Sequence, residues 1–144
     1  MNSIAEKVKE KFGSKTIKYL RKNAKRHYFD VDAANIVELV KILFHGMEMR
    51  FITATGIHLR EGFEILYHFS NDKTGEVISL RVLINEKVNP EIDSITPLFI
   101  GAEWIEREMW EMLGINFRNH PNLKKLLLAD DWPDGNYPLR QGKQ

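Results

Sequence analysis

The stretch FEILYHFSNDKTGEVISLRVLI, residues 63–84, decides the fold. Apolar and aromatic side chains alternate with other residues on both sides of its centre: Phe63, Ile65, Tyr67 and Phe69 before it, and Ile78, Leu80, Val82 and Ile84 after it. Alternation with a period of two is typical of a strand with one buried face. The polar run NDKTG, residues 71–75, supplies a turn, so the stretch predicts two antiparallel strands.

The residues before this stretch extend it into a covered sheet. Four of residues 51–55 are β-branched or aromatic, which predicts a third strand of the same antiparallel meander. Asp32 can cap a helix in which apolar residues recur at helical spacing until Gly46, namely Ile36, Leu39, Val40, Leu43 and Phe44. This helix is expected to cover one face of the meander, and the fold class is therefore α+β.

The two ends of the chain complete the expected single domain of residues 1–144. Residues 1–26 form a basic N-terminal segment, with a helix over residues 3–12, and residues 27–117 form the α+β core. Residues 15–20 are ambiguous, and residues 27–31 look extended. A helix from Ala102 to Leu113 stops at Gly114, and prolines then prevent a continuous helix, which predicts an extended C-terminal arm over residues 118–144. The glycines, Gly56 included, are interpreted as caps or turns.

Composition excludes several classes of function. The chain has no cysteine, which excludes disulfides, thiolate zinc sites and iron–sulfur ligation by this chain. No run approaches the roughly 18 consecutive apolar residues of a membrane-spanning helix. Residues 1–28 carry nine Lys and Arg against two Glu, a charge of +7, which leaves −6 for the rest of a chain of net charge +1.

This charge asymmetry leaves two interpretations open. The basic stretch KTIKYLRKNAKRHY, residues 15–28, includes Tyr19 and Tyr28, which could stack on bases while the cations contact phosphates. A small RNA-binding protein is therefore the alternative function. A solvated basic face that meets an acidic partner has the same appearance.

The sequence contains no catalytic pattern that supports an enzyme. The carboxylates and His120 near the C-terminal helix lack the His-Glu-x-x-His and Glu-x-x-His spacings of metal sites. The serines lack a nucleophile elbow, and the glycines do not form a phosphate-binding loop. We therefore predict no catalytic, metal-binding or cofactor-binding residues.

The C-terminal helix has an apolar and a polar face. At about 100° per residue, the apolar face consists of Ala102, Ile105, Met109, Met112 and Leu113. The opposite face has Trp104, Arg107 and Glu111, so these three are expected to be exposed. Glu103, Arg107 and Glu111 are four residues apart, which suits an exposed ladder of ion pairs or contacts with a partner. Helical periodicity leaves both interpretations open.

The sequence resembles the family of the thirty-kilodalton subunit of respiratory NADH dehydrogenase (complex I), with relatives in membrane-bound nickel–iron hydrogenases. The residues that carry the resemblance are Glu106-Arg107-Glu108, Glu111, Met112-Leu113, Gly114-Ile115-x-Phe117, His120-Pro121-Asn122-Leu123, Lys124-Lys125, Asp131-Trp132 and Pro138-Leu139-Arg140. The segment of residues 132–138 and the Gln-Gly-Lys at residues 141–143 look closer to the hydrogenase branch, where the NADH branch usually has Lys-Asp after the arginine.

The resemblance implies a non-catalytic subunit that docks on the large catalytic subunit of the complex, beside the small iron–sulfur subunit. It implies no cofactor in this chain, with iron–sulfur clusters and nickel–iron or quinone chemistry in the partners. It also implies a peripheral position on the cytoplasmic side of the cell membrane, without a membrane span or nucleic acid. The expected partner interface consists of Trp104, Glu106, Arg107, Glu108, Glu111, His120, Pro121, Asp131, Trp132, Tyr137, Leu139 and Arg140.

Overall fold

A computed structural model describes residues 3–129 and 131–140. Residues 1–2 of the N-terminal segment and residues 141–144 of the arm, with the Gln-Gly-Lys motif, lie outside the described residues. The helices are α1 (Ile4–Phe12), α2 (Ile36–Lys41) and α3 (Glu103–Leu113). The strands are β1 (Thr16–Arg21), β2 (Arg26–Val31), β3 (Arg50–His58), β4 (Phe63–Asn71), β5 (Glu76–Ile84), β6 (Glu91–Asp93) and β7 (Asn116–Arg118).

The main sheet has five strands in the order β1-β2-β5-β4-β3. Strands β3, β4 and β5 form the predicted antiparallel meander, with Tyr67 opposite Leu80 across the β4–β5 pair. Strand β2 pairs with β5 in parallel, which places Phe29 opposite Leu80, and β1 pairs with β2 as the edge strand. The α+β class and the meander are confirmed, and the parallel pair is an addition to them.

The three helices and the inward face of the sheet share one hydrophobic core. Helix α1 begins with a capping box, in which Ser3 and Glu6 exchange side-chain and backbone hydrogen bonds, as the position of Ser3 before the helix favours. The apolar face of α1 is buried, and the Phe12 ring meets the Phe29 ring edge-on at 5.5 Å. The basic N-terminal segment therefore contributes to the same core as residues 27–117.

Two local features differ from the sequence-based expectation. Residues 15–20, which are ambiguous in sequence, contain most of strand β1, whose pairing with β2 is irregular between Thr16 and Lys18. Gly56 is neither a cap nor a turn, because it lies inside β3 where α3 crosses the sheet. A Cβ atom there would stand 3.0 Å from both Leu113 Cδ1 and Met109 Sδ, so glycine permits the close approach of the helix.

A second, two-stranded sheet fixes the ends of α3. Strand β6 precedes the helix and pairs in parallel with β7, which follows it, with Ile92 opposite Phe117. Both of these side chains are buried in the core. The connection from β6 therefore brings residues 94–96 close to the middle of α3, where the candidate site lies.

Candidate functional site at helix α3

Three side chains of α3 hold the C-terminal arm against the chain's own domain. Glu103, Arg107 and Glu111, here called the polar row, lie four residues apart and so share one side of the helix. The three residues contact residues 120–128 in chain order. Glu103 contacts residue 120 through its backbone carbonyl oxygen and residue 122 through its carboxylate, Arg107 contacts residues 124 and 125, and Glu111 contacts residues 126–128. The arm therefore runs along α3 in the direction of the helix.

Glu111 binds three consecutive backbone amides. Its carboxylate accepts hydrogen bonds from the N–H groups of Leu126, Leu127 and Leu128 at 2.9, 2.9 and 2.7 Å. Burial on its own would raise the pKa of Glu111, but these three donors and the nearby Arg107 outweigh burial, so the pKa lies below its ordinary value. The ionised carboxylate thus acts as the anion in a nest of backbone donors.

Arg107 binds the residues just before this nest. Its Nε donates to the carbonyl oxygen of Lys124 at 3.0 Å and its Nη2 to that of Lys125 at 2.8 Å. The expectation that Arg107 and Glu111 are exposed was wrong, since only 7% and 3% of their surface is accessible. The physical reason is that the polar side of the helix is covered by the chain's own arm, whose backbone supplies the hydrogen-bonding partners.

His120 lies near the start of the arm, where the arm first contacts the polar row at Glu103. Its side chain is fully buried, and its Nδ1 accepts a hydrogen bond from the Asn122 backbone N–H at 2.9 Å. This bond assigns the ring proton to Nε2, which donates to the Glu103 carbonyl oxygen at 3.1 Å. The Asn122 side chain also donates to the Glu103 carboxylate at 3.0 Å. His120 therefore orients the arm and has no exposed reactive atom.

Glu106 is the most deeply buried charged residue of the site, with no accessible surface. One carboxylate oxygen accepts from the hydroxyls of Ser94 and Thr96 at 2.5 and 2.6 Å, and the other accepts from the Ile95 N–H at 2.9 Å. Burial raises the pKa of Glu106, although these hydrogen bonds oppose the shift. Glu106 thus fastens the β6–α3 connection and cannot itself touch a partner.

The end of the arm returns to the end of α3. Leu139 N–H donates to the Met112 carbonyl oxygen at 2.9 Å, and Arg140 Nε donates to the Leu113 carbonyl oxygen at 2.6 Å. Gly114 ends the helix with φ of 78°, and a Cβ there would lie 2.6 Å from both Arg140 and Tyr137. Glycine at this position therefore serves both the left-handed cap and the return of the arm.

Aromatic residues of the arm are partly covered by the arm itself. The Trp132 indole N–H donates to the Asn136 carbonyl oxygen at 2.7 Å, and Lys125 Nζ donates to the Trp132 carbonyl oxygen at 2.7 Å. The Arg140 guanidinium lies 4.7 Å from the Tyr137 ring centre. Trp132, Tyr137 and Arg140 are half-buried as a result.

An apolar groove remains open between β3 and α3. It has a volume of about 380 Å³ and is lined by Thr53, Ala54, Thr55, Gly56, Ile105, Glu108, Met109, Met112, Leu113 and Leu139. Trp104, one helical turn before Glu108, is 67% exposed, and Leu139 is 57% exposed. Of the other predicted interface residues, Pro121 and Asp131 are exposed and Glu108 is half-buried. The groove lined by the ten residues given above is here called the β3–α3 groove.

Sequence reasoning missed part of this arrangement. Ser94 and Thr96, the donors to Glu106, belong to a polar connection with no recognisable motif. The β3 wall of the groove was assigned to the sheet without a functional role. Gly56 was the one local signal, because a glycine inside a strand marks a close approach of another element.

The structure also bears on metal and membrane binding. Within residues 3–129 and 131–140, three or more His, Asp or Glu side chains do not come together in a way that could hold a metal ion. In the same part of the chain, the helices are too short or too polar to cross a bilayer. The absence of a bound cofactor stays a prediction.

The polar row predicts a pH dependence of folding stability. Because the pKa of Glu111 is lower in the folded chain, its contribution is present above the unfolded value of about 4.3 and is lost as pH falls through the folded value. The difference in free energy of unfolding between wild type and Glu111→Gln should shrink below about pH 4. Urea unfolding across pH measures it, and a difference that stays constant through the acid range would contradict the assignment.

Glu106 is expected to act with the opposite sign. Its pKa is raised on folding, so its ionisation opposes the folded state, and this effect grows as pH rises from the unfolded pKa to the folded one. Comparison of the Glu106→Gln and Glu111→Gln variants therefore separates the two carboxyl groups in the same titration.

The chain is similar in sequence to subunits of NADH-quinone oxidoreductases. The C-type subunit of the NADH-quinone oxidoreductase from Citrifermentans bemidjiense is 36% identical over 115 residues, which cover 77% of this chain and 70% of the relative. The C/D-type subunit of the NADH-quinone oxidoreductase from Phocaeicola vulgatus is 33% identical over 114 residues, which cover 78% of this chain and 22% of that longer relative.

A solved structure shares the fold. A chain of the membrane-bound sulfane sulfur reductase, an archaeal respiratory membrane complex, superposes with a TM-score of 0.82 over 95% of this chain and 81% of its own length. Its sequence is 22% identical, so the likeness concerns the fold alone. The family described as "Respiratory-chain NADH dehydrogenase, 30 Kd subunit" matches residues 29–144. With most of its length matched, the chain belongs to this family, as the motifs around α3 predicted.

Proposed function

We propose that this chain is a non-catalytic subunit of a complex I-like oxidoreductase and that it docks on the large catalytic subunit through the β3–α3 groove. The proposal is carried by the open β3–α3 groove, whose lining includes the exposed Leu139, and by the exposed Trp104, which lies one helical turn before the lining residue Glu108. Exposed tryptophan next to apolar surface is characteristic of the residues that dominate binding energy in protein interfaces.

Contacts between the polar row and the arm reduce the set of predicted interface residues that can meet a partner. Since Arg107 and Glu111 are occupied by the arm, they support the interface from beneath and do not contact the partner directly. The predicted residues left to meet a partner are those that are exposed or half-buried, namely Trp104, Glu108, Pro121, Asp131, Trp132, Tyr137, Leu139 and Arg140. This retains part of the interface predicted from the sequence.

The relatives support membership of a larger assembly. In the Phocaeicola relative, which is named a C/D subunit, the matching region is 22% of one longer chain. We infer that the large catalytic subunit lies beside this chain, with the small iron–sulfur subunit in the same complex. Iron–sulfur clusters and the nickel–iron or quinone chemistry would belong to those partners, on the cytoplasmic side of the membrane.

Replacement of Trp104 tests the docking surface. Trp104→Ser should weaken binding to the large catalytic subunit by about 2 kcal/mol, roughly thirtyfold in Kd, because an exposed anchor loses its apolar contact area. Its melting temperature should stay close to that of wild type, since the indole is 67% exposed in the free chain. Binding is measured by calorimetry or surface plasmon resonance with the purified large subunit.

Leu83→Ser is the matched control. Leu83 is 52% exposed and lies on β5, away from α3, so its replacement removes exposed apolar surface elsewhere. It should leave the affinity unchanged. Equal affinities of wild type and Trp104→Ser for the large catalytic subunit would rule out the proposed docking surface.

A further inference from the structure

Strand β1 is an open edge at the far end of the sheet from the β3–α3 groove. Its described pairing is with β2 on one side, so the backbone groups on its other side face outward. Ile17 and Leu20 on this strand are 69% and 52% exposed. An open edge with exposed apolar side chains can accept an additional strand.

The charges along this edge favour one kind of occupant. Lys18, Arg21 and Lys22 are exposed, and in the part of the chain that the structure describes they have no ion-pair partner. Two copies of β1 placed side by side would bring these like charges together, which disfavours self-association through this edge. An acidic chain would instead neutralise them.

The aromatic residue of β1 is unsuited to nucleic acid. The Tyr19 ring packs against Phe29 at 5.0 Å, and its hydroxyl lies 2.8 Å from His27 Nδ1. Lys9 Nζ covers the ring at 3.8 Å from its centre. A nucleobase therefore has no free face of Tyr19 on which to stack, which weakens the RNA-binding alternative.

A hollow beside the start of β1 offers a place for an apolar side chain. It has a volume of about 320 Å³ and is lined by Ile17, Asp30, Val31, Asp32, Ala33, Arg81, Leu83 and Asn85. Asp30 and Arg81 form an ion pair at 2.8 Å within it. The edge thus combines a hollow lined by both apolar and polar side chains at one end with exposed cations along its length.

We propose that β1 takes up an acidic, extended polypeptide segment of another protein, which adds a further strand to the five-stranded sheet. Backbone hydrogen bonds to the open edge supply the affinity. Carboxylates opposite Lys18, Arg21 and Lys22 supply the selectivity for acidic segments. This surface is separate from the proposed docking groove, so either proposal can fail without the other.

The test uses amide NMR of the full chain with a short peptide of alternating Glu and Val. The expected result is a set of shifts confined to β1 and its neighbours, with an affinity that falls about tenfold when alternate peptide amides are N-methylated. The triple variant Lys18→Glu, Arg21→Glu, Lys22→Glu should lose about tenfold as well. Its circular dichroism melt should match wild type, because the three side chains are exposed.

Several outcomes would overturn the proposal. Equal binding of the N-methylated peptide would exclude strand addition, and equal binding of an alternating Lys and Val peptide would exclude charge selection. Perturbation of β1 by oligouridylate or by phosphatidylglycerol vesicles, without a response to the Glu and Val peptide, would assign the edge to RNA or to lipid instead.

Discussion

Replacing Glu106 with Ala should lower the free energy of unfolding by about 3–5 kcal/mol, the largest effect expected of any single change at α3. The substitution leaves the Ser94 and Thr96 hydroxyls and the Ile95 N–H without their acceptor in a site with no accessible surface. Each buried donor that loses its partner costs about 1–3 kcal/mol. Urea unfolding followed by tryptophan fluorescence measures the change.

Glu106→Gln is the matched control. The amide keeps the shape of the side chain and one acceptor oxygen, and the two hydroxyls can reverse their roles as donors, so about 1–2 kcal/mol should be lost. If Glu106→Ala lowered the free energy of unfolding by less than about 1 kcal/mol, the carboxylate would not be what stabilises the β6–α3 connection.

Arg107→Ala should cost about 2–4 kcal/mol of folding stability. The substitution leaves two carbonyl oxygens without their hydrogen-bond donor and the Glu111 carboxylate without its nearby positive charge. The arginine connects α3 to Lys124 and Lys125. If Arg107 acted mainly at a partner surface, as the resemblance implies, the loss would appear in binding and not in folding. Chemical denaturation of the isolated chain decides between the two roles.

Arg107→Lys separates charge from geometry. A lysine keeps the positive charge beside Glu111 but lacks the planar fork that reaches both carbonyls, so it should recover only part of the stability. Full recovery by lysine would show that charge alone matters. An unchanged melt for Arg107→Ala would mean that the arm is not held by this residue.

Local periodicity predicted most of the fold. The alternation in residues 63–84 and the helical spacing after Asp32 correspond to β4, β5 and α2. Strand β1 was not recognised, because an edge strand with Ile17 and Leu20 exposed has no clear buried face. The parallel β2–β5 pair joins segments distant in sequence, and periodicity contains no information about such pairing.

The sequence predicted many of the residues that form the candidate site, but it did not predict what they contact. The spacing of Glu103, Arg107 and Glu111 showed that they share one side of α3, and the family motifs identified His120. A helical projection does not show what covers a polar face. Here the covering element is the backbone of residues 120–128, which presents carbonyl oxygens to the arginine and N–H groups to the glutamate.

Helix α3, and not a second polypeptide, holds residues 120–128 in place. Hydrogen exchange of the Leu126, Leu127 and Leu128 amides in the isolated chain tests it most directly. We predict exchange at least about a hundredfold slower than in an unstructured peptide, with the protection lost in Glu111→Gln. Exchange at the unstructured rate until the large catalytic subunit is added would show that the partner, and not α3, holds these residues.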